Sequence, residues 1–167
     1  YDPISADSND EFIELHNPGS AAVPVGGWRL REAVTYTIPD GTTIPGGGYL
    51  VIAKNANHLR TNYTQLTLGN TLGDYGGSLA NGGERVVLTM PDEVAAPNDS
   101  GVIVTNKIHI PVDDVSYRSG GRWGRWAAGG GSSLELTDPK SDGRLAPNWA
   151  ESDETKKSDW VTVETTG

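Results

Sequence analysis

The chain reads GWRL at residues 27–30, YTIP at residues 36–39 and IPGGGYLVIA at residues 44–53, and these three segments decide the fold. In the first segment Trp28 and Leu30 alternate with arginines, which is typical of a strand with one buried face. In the third segment a glycine-rich turn precedes a short apolar run, a pattern that favours a buried strand over a helix. We therefore predict three short strands separated by sharp turns.

The composition of the 167-residue chain indicates one all-β domain with a tail. The 22 glycines and 10 prolines lie between short apolar runs, which favours many turns over long helices. No apolar run approaches the roughly 18 residues that a membrane-spanning helix needs. Because there is no cysteine, disulfides and thiolate metal ligands are excluded. The net charge of −9 makes nucleic acid an unlikely partner, although a local basic patch is compatible with it.

Further strands are predicted on both sides of this stretch. Residues 11–16 alternate polar and apolar side chains, and residues 85–90 follow an Asn-Gly-Gly turn. Another predicted strand covers residues 107–117, in which Pro111 marks a sheet edge or a break. Residues 91–100 are predicted to form an acidic loop.

The sequence lacks the common motifs of catalysis and cofactor binding. There is no G-x-S-x-G elbow, no P-loop and no H-E-x-x-H segment. The histidines His16, His58 and His109 are isolated from one another, which is typical of packed or surface histidines. A Ser-His-Asp triad assembled from distant positions stays open at this level. We predict that the chain is not an enzyme and that it needs no cofactor.

Asp138 and Asp142 imitate part of a calcium-binding loop. An EF-hand needs a ligand at its third position and a glutamate at its twelfth, where this chain has Lys140 and Trp149. A turn stabilised by hydrogen bonds from the aspartates is therefore preferred, and no metal ligand is assigned. The alternative is an irregular Ca²⁺ site that uses Asp138, Asp142 or Asp153.

A basic and aromatic cluster follows residue 117. The candidate ligand-binding residues in it are Arg122, Trp123, Arg125 and Trp126, and Arg118 lies just before them. Indole rings beside guanidinium groups can stack on sugars or bases, and the positive charge suits anionic ligands. One hypothesis is a loop that binds a glycan or a polyanion. In the other, the tryptophans cap the open end of the core and the arginines pair with nearby acids.

Several of these segments together resemble the lamin tail domain. The resemblance covers roughly residues 4–117, and it is carried by the segments Asp10–Gly19, Gly27–Leu30, Tyr36–Pro39, Ile44–Ala53, Gly76–Leu79, Asn81–Val86 and Val112–Tyr117. The continuation through the two tryptophans of the cluster and residues 131–136 is similar to bacterial members. The resemblance implies an immunoglobulin-like β-sandwich, here with a Trp/Gly-rich C-terminal extension. It also implies large secreted or surface proteins as the setting, and it brings no catalytic residues.

We therefore predict a lamin-tail-like sandwich at residues 1–137, a turn-rich extension or linker at 138–157, and a tail at 158–167 that could begin a following module. The predicted function is a non-catalytic interaction or spacer module of a larger bacterial protein, located outside the cell or on its surface. Its predicted partners are neighbouring domains of the parent chain or other proteins. The alternatives are a carbohydrate- or polyanion-binding module that uses the Trp123/Trp126 loop, or a structural subunit that assembles through exposed sheet edges.

Overall fold

The computed structural model describes residues 1–153, which form strands and one short α-helix. The strands are β1 (Phe12–His16), β2 (Val23–Pro24), β3 (Arg29–Glu32), β4 (Val34–Thr37), β5 (Thr43–Ile44), β6 (Tyr49–Ala53), β7 (Thr71–Leu72), β8 (Gly76–Gly77), β9 (Arg85–Pro97), β10 (Ile103–Ser116), β11 (Leu134–Leu136) and β12 (Trp149–Glu151). The helix α1 spans Ala56–Asn62, and short 3₁₀ turns cover Ser8–Asp10 and Ala146–Asn148. The predicted tail at residues 158–167 lies outside the described residues.

Two sheets form a sandwich around one core. The first has the strand order β1-β6-β7 and the second has the order β10-β9-β3-β4-β8. Neighbouring strands are antiparallel except for β6 and β7, which are parallel. Side chains from both sheets, among them Leu30, Ile52 and Val86, meet in the buried core. The prediction of an all-β, immunoglobulin-like sandwich is confirmed.

β6 is buried on both faces, which explains its nearly continuous apolar sequence. Leu50 and Ile52 face the sandwich core, whereas Val51 and Ala53 pack with Leu59 of α1 in a second small cluster. Because side chains alternate between the faces of a strand, a strand covered on both sides has no place for polar residues. The prediction of a buried strand here is confirmed.

The turn before β6 depends on a close approach of two backbone segments. Asn17 at the end of β1 is buried, and its side-chain amide donates hydrogen bonds of 2.8–3.1 Å to three backbone carbonyls, those of Ala21, Ile44 and Pro45. A Cβ atom at Gly46 would lie 2.2 Å from the carbonyl oxygen of Ser20. Only glycine can therefore occupy position 46 without displacing the neighbouring backbone.

β9 and β10 extend well beyond the rest of their sheet. β9 pairs with β3 only as far as Thr89, and from there to Pro97 it continues in antiparallel register with β10. The prediction of a loop at residues 91–100 is therefore wrong for most of that segment, because cross-strand pairing outweighs its weak strand propensity. Pro111 lies in β10, which is the edge strand, and the register shifts directly after it. Its predicted position at a sheet edge is confirmed.

Residues 134–149 pack against the sandwich. β11 and β12 form an antiparallel hairpin, and Leu134 and Trp149 in it pack against the main core. The indole N–H of Trp149 also donates to the carbonyl oxygen of Gly143 at 2.7 Å. Residues 138–153 are thus turn-rich and attached to the sandwich, while residues 154–157 of the predicted extension lie outside the described residues. The division at residue 137 stays a prediction.

We expect the Ile52→Ala variant to lose about 2–5 kcal/mol of unfolding free energy, since Ile52 is fully buried and its removal leaves a cavity. Urea unfolding followed by circular dichroism measures the change. Tyr49→Ala is the control in the same strand, because the Tyr49 side chain is 53% exposed and should cost no more than about 1 kcal/mol. Equal losses in the two variants would contradict this placement of the core.

Candidate functional site

The structure divides the four predicted binding residues into one buried and three exposed side chains. Trp123 is 8% exposed and belongs to the core, where its ring centroid lies 6.3 Å from that of Trp149. Trp126 is 65% exposed, and Arg122 and Arg125 are exposed as well. A ligand could stack on Trp126, whereas the Trp123 ring is buried in the core.

Hydrogen bonds hold residues 122–132, which we call the Trp126 loop, in place. The carbonyl oxygen of Trp126 accepts from the backbone N–H groups of Gly130 at 2.9 Å and Ser132 at 3.3 Å. The backbone N–H of Trp126 donates to the carboxylate of Glu151 in β12. Gly124 approaches the same side chain so closely that a Cβ there would lie 2.4 Å from the Glu151 Cγ. The exposed indole is therefore carried by an ordered turn that is tied to β12.

The two arginines of the loop add positive charge beside this indole. They precede Trp126 by four residues and by one residue, and both are exposed. Neither Arg122 nor Arg125 forms an ion pair with any residue from 1 to 153. The part of the chain that the structure describes thus gives no acidic partner for them. Ligand binding by Arg122, Trp123, Arg125 and Trp126 stays a prediction.

The aspartates considered for calcium stabilise turns. The Asp138 carboxylate accepts from the backbone N–H of Lys140 at 2.9 Å, as predicted. The Arg144 guanidinium donates to both oxygens of Asp142, at 2.9 and 3.0 Å, and it lowers the pKa of that carboxyl below its usual range. Within residues 1–153, no three His, Asp or Glu side chains are placed to hold a metal ion together. Ca²⁺ binding that involves Asp153 stays a hypothesis.

A cleft of about 350 Å³ lies between β10 and the extension. It is lined by residues 111–114 and 141–144, and its side chains include three aspartates. Partial burial is the main cause that raises the pKa of Asp113, and the carboxylates of Asp114 and Asp142 act in the same direction. The cleft has no histidine, so it offers no base beside the Ser141 hydroxyl other than these carboxylates.

One histidine lies beside a carboxylate, but the group is not a catalytic triad. His58 Nε2 is 2.9 Å from one oxygen of Asp10, and Ser5 Oγ donates to the other oxygen at 2.5 Å. In a triad the histidine lies between the serine and the aspartate, so that it can take the hydroxyl proton. Here the aspartate lies between them. His58 therefore cannot activate Ser5 in this arrangement.

Glu11 is a buried carboxylate that our reading of the sequence did not single out. It is 3% exposed, and its Oε2 accepts from the Tyr75 hydroxyl at 2.9 Å and from the Leu79 N–H at 2.8 Å. Burial and this hydrogen bond raise the pKa of the Tyr75 phenol. The two-residue spacing of Glu11 from Ile13 and Leu15 could have predicted this burial, since alternate residues of a strand share one face. The Glu11 carboxylate therefore joins the start of β1 to residues 75–79 by hydrogen bonds within the core.

Comparison with protein families decides what kind of domain this is. The family model of the Lamin Tail Domain matches residues 1–143. The chain belongs to the lamin tail domain family. The resemblance inferred from the sequence is confirmed, and the match extends beyond β10 to include the Trp126 loop and β11. A search of curated proteins finds no match to the chain.

The family assignment defines the class of module to which this domain belongs. Lamin tail domains are non-catalytic, immunoglobulin-like modules that interact with other proteins. In this lamin tail domain the two groups that most resemble catalytic sites, at His58 and at Asp113, lack a paired nucleophile and histidine base. No helix within residues 1–153 is long and apolar enough to cross a lipid bilayer.

In this lamin tail domain, the Glu151→Ala variant should loosen the Trp126 loop. Removal of the acceptor for the Trp126 N–H is expected to speed the exchange of that amide hydrogen roughly five- to tenfold, which corresponds to one hydrogen bond of about 1 kcal/mol. Hydrogen exchange followed by NMR measures it. Glu135→Ala in β11 is the control, because Glu135 contacts Ser133 and not the loop. Unchanged exchange in Glu151→Ala would show that the loop is held by other contacts.

Proposed function

We propose that this lamin tail domain is a non-catalytic protein-interaction module of a larger secreted or cell-surface protein, of bacterial origin. The observation that carries the proposal is the family match over residues 1–143. The geometry of residues 1–153 supports it, because the carboxylates of Asp138, Asp142 and Glu11 serve a turn, an ion pair and the core, respectively. The net charge of −9 disfavours nucleic acid as a partner. Neighbouring domains of the parent chain and separate proteins are the expected partners.

Site-specific photo-crosslinking tests this proposal. A benzophenone amino acid is placed at exposed positions far apart in the sequence, namely Leu68, Val94 and Arg125, in the full-length protein that carries the domain. We expect irradiation to link at least one position to a different polypeptide or to a neighbouring domain, identified by mass spectrometry. The same samples kept in the dark are the control. The proposal is wrong if none of the positions yields such an adduct.

A second candidate function is the binding of a glycan or a polyanion by the Trp126 loop. The specific observation in its favour is the exposed Trp126 ring, which an ordered turn carries beside two exposed arginines. A ring presented in this way can stack on a sugar, and the guanidinium groups can bind sulfate or carboxylate groups. This function is compatible with the first, since a surface module can contact both proteins and glycans.

If the Trp126 loop binds glycans, Trp126→Ala should weaken binding roughly tenfold, because one lost stacking contact is worth about 1–3 kcal/mol. Heparin and an array of neutral glycans are the probes, with affinity measured by surface plasmon resonance. Tyr63→Ala is the matched control, since Tyr63 is an exposed aromatic residue on another part of the surface. Binding that is unaffected by Trp126→Ala, or absent in the unmodified domain, would remove this second function.

A further inference from the structure

The part of the β9–β10 hairpin that extends past the sheet has one apolar face. We call residues 90–97 and 103–110 the β-arm. Residues opposite each other in an antiparallel pair share a face, and the register places six apolar side chains together, those of Met90, Val94, Ala96, Val104, Ile108 and Ile110. Asp92 and Asn106 are the polar members of this face. Val94 and Ile108 are 42% and 38% exposed, so the face is open to solvent.

The β-arm has two outer backbone edges, one on β9 and one on β10. The positions of its prolines show which edge can pair with a further strand. The register pairs each proline of the two strands with an odd-numbered residue. These pairs are Pro91 with His109, Pro97 with Ile103 and Pro111 with Thr89, and the prolines have odd numbers as well. A proline is tolerated in a ladder only where its missing N–H would point away from the partner strand. The odd-numbered residues of the β-arm therefore direct their backbone groups outward. On β9 two of these four positions are prolines, whereas on β10 residues 103, 105, 107 and 109 all keep their N–H.

The exposed edge of β10 is complementary to itself. If two copies of this edge pair antiparallel around a two-fold axis at Asn106, residue numbers of opposed positions sum to 212. Val104 then lies opposite Ile108 on the apolar face, and Thr105 lies opposite Lys107 on the polar face. Asn106 lies opposite its own copy, where two side-chain amides can exchange hydrogen bonds. Between residues 103 and 109, no like charges face each other in this register.

The backbone bonds fit the same register. Odd-numbered residues, which point outward, would be opposed to odd-numbered residues of the second copy. Each such pair exchanges two N–H···O bonds, and the four pairs between residues 103 and 109 would give about eight bonds in all. Isologous pairing of this kind is the simplest way for one edge strand to find a partner.

Repulsion between the two sandwiches does not oppose this pairing, although each copy carries −9. In an antiparallel arrangement the base of one β-arm lies beside the tip of the other, so the two sandwiches lie at opposite ends. The eight-residue arm is about 27 Å long. This length is several times the Debye length of about 8 Å at physiological ionic strength, so repulsion between the sandwiches is screened.

We propose that the β-arm binds a second copy of this chain by edge-to-edge pairing of β10, with Asn106 at the two-fold axis. The two arms would form a four-stranded sheet in the order β9-β10-β10-β9. An edge contact of this size is smaller than a standard interface, so a dissociation constant between about 10 µM and 1 mM is expected. The dimer deepens the proposed interaction function, on which it rests, by naming a surface and a partner.

Sedimentation equilibrium of the purified chain between 10 µM and 2 mM tests for the dimer. We expect the mass to rise with concentration from 17.7 kDa towards twice that value. Asn106→Asp and Asn106→Lys should each weaken the dimer at least tenfold, because like charges then meet at the axis. An equimolar mixture of the two variants should restore it through the opposite charges. Asn57→Asp on α1 is the control for an added charge and should leave the dimer unchanged.

Cysteine cross-linking tests the register independently, since the natural chain has no cysteine. Opposed residues of a non-hydrogen-bonded antiparallel pair have Cα atoms about 4.5 Å apart, which suits a disulfide. Asn106→Cys should therefore form a covalent dimer under mild oxidation. Val94→Cys is the matched control, since Val94 lies opposite Asn106 on the same face of the β-arm. In the dimer the two copies of residue 94 would lie three strand spacings apart, about 14 Å.

Several outcomes would overturn the proposal. They are a monomer throughout the concentration range, a dimer that Asn106→Asp leaves intact, or cross-linking that is equally efficient at positions 94 and 106. None of them removes the proposed interaction function, because photo-crosslinking to other proteins is measured separately in the full-length protein. Conversely, a confirmed dimer without any adduct to another polypeptide would leave the β-arm pairing in place.

Discussion

Burial of β6 on both faces is the constraint on which the sandwich depends. Leu50 and Ile52 supply the centre of one core, and Val51 and Ala53 anchor α1 on the other side. Full burial of an aliphatic side chain of this kind is worth about 1.5–3 kcal/mol, so a single five-residue strand contributes a large share of the stability. β1 and β7 both pair with β6, which means that the whole first sheet is built on it.

The turn that leads into β6 shows how the same constraint reaches the loops. Gly46 must come close to the backbone of Ser20, and Asn17 satisfies the carbonyl groups that this approach buries. The buried strand β6 is thus preceded by a compact turn. This turn requires a glycine at position 46 and the side-chain amide donors of Asn17. An unpaired carbonyl in this turn would cost about as much as a lost core methyl group.

Local patterns were enough to predict much of the fold. The alternation around Leu30 and the apolar run of β6 specify strands by themselves, and Pro111 marks an edge because it cannot donate to a ladder. The length of β9 was missed, since residues 91–97 have weak strand propensity and are held by pairing with a distant segment. The sequence also left open which tryptophan of the candidate site is exposed, for a similar reason. Arg-Trp occurs twice within five residues, and only tertiary packing decides that Trp123 is buried while Trp126 is exposed.

The exposed features lie at two separate places on the domain. β10 runs from the β-arm to Ser116. The N-terminus joins this end to the Trp126 loop, because the Tyr1 ring contacts the Tyr117 ring and Asp2 pairs with Ala128. The arm tip and the loop therefore lie towards opposite ends of this strand. A protein bound at one of them would leave the other accessible. Such an arrangement suits a module that lies between two neighbours in a larger assembly.

The prolines of β9 have a consequence for the size of any assembly. An exposed strand that can accept a neighbour on each side allows sheets to grow without limit, which is how fibres form. Pro91 and Pro97 remove two of the four outward donors from the outer edge of β9. Once the β10 edges are occupied, the outer β9 edges of the two paired arms are therefore poor templates for further strands. Growth through the arms would stop at a closed pair, so the domain could present a long hairpin to its surroundings without forming an endless sheet of arms.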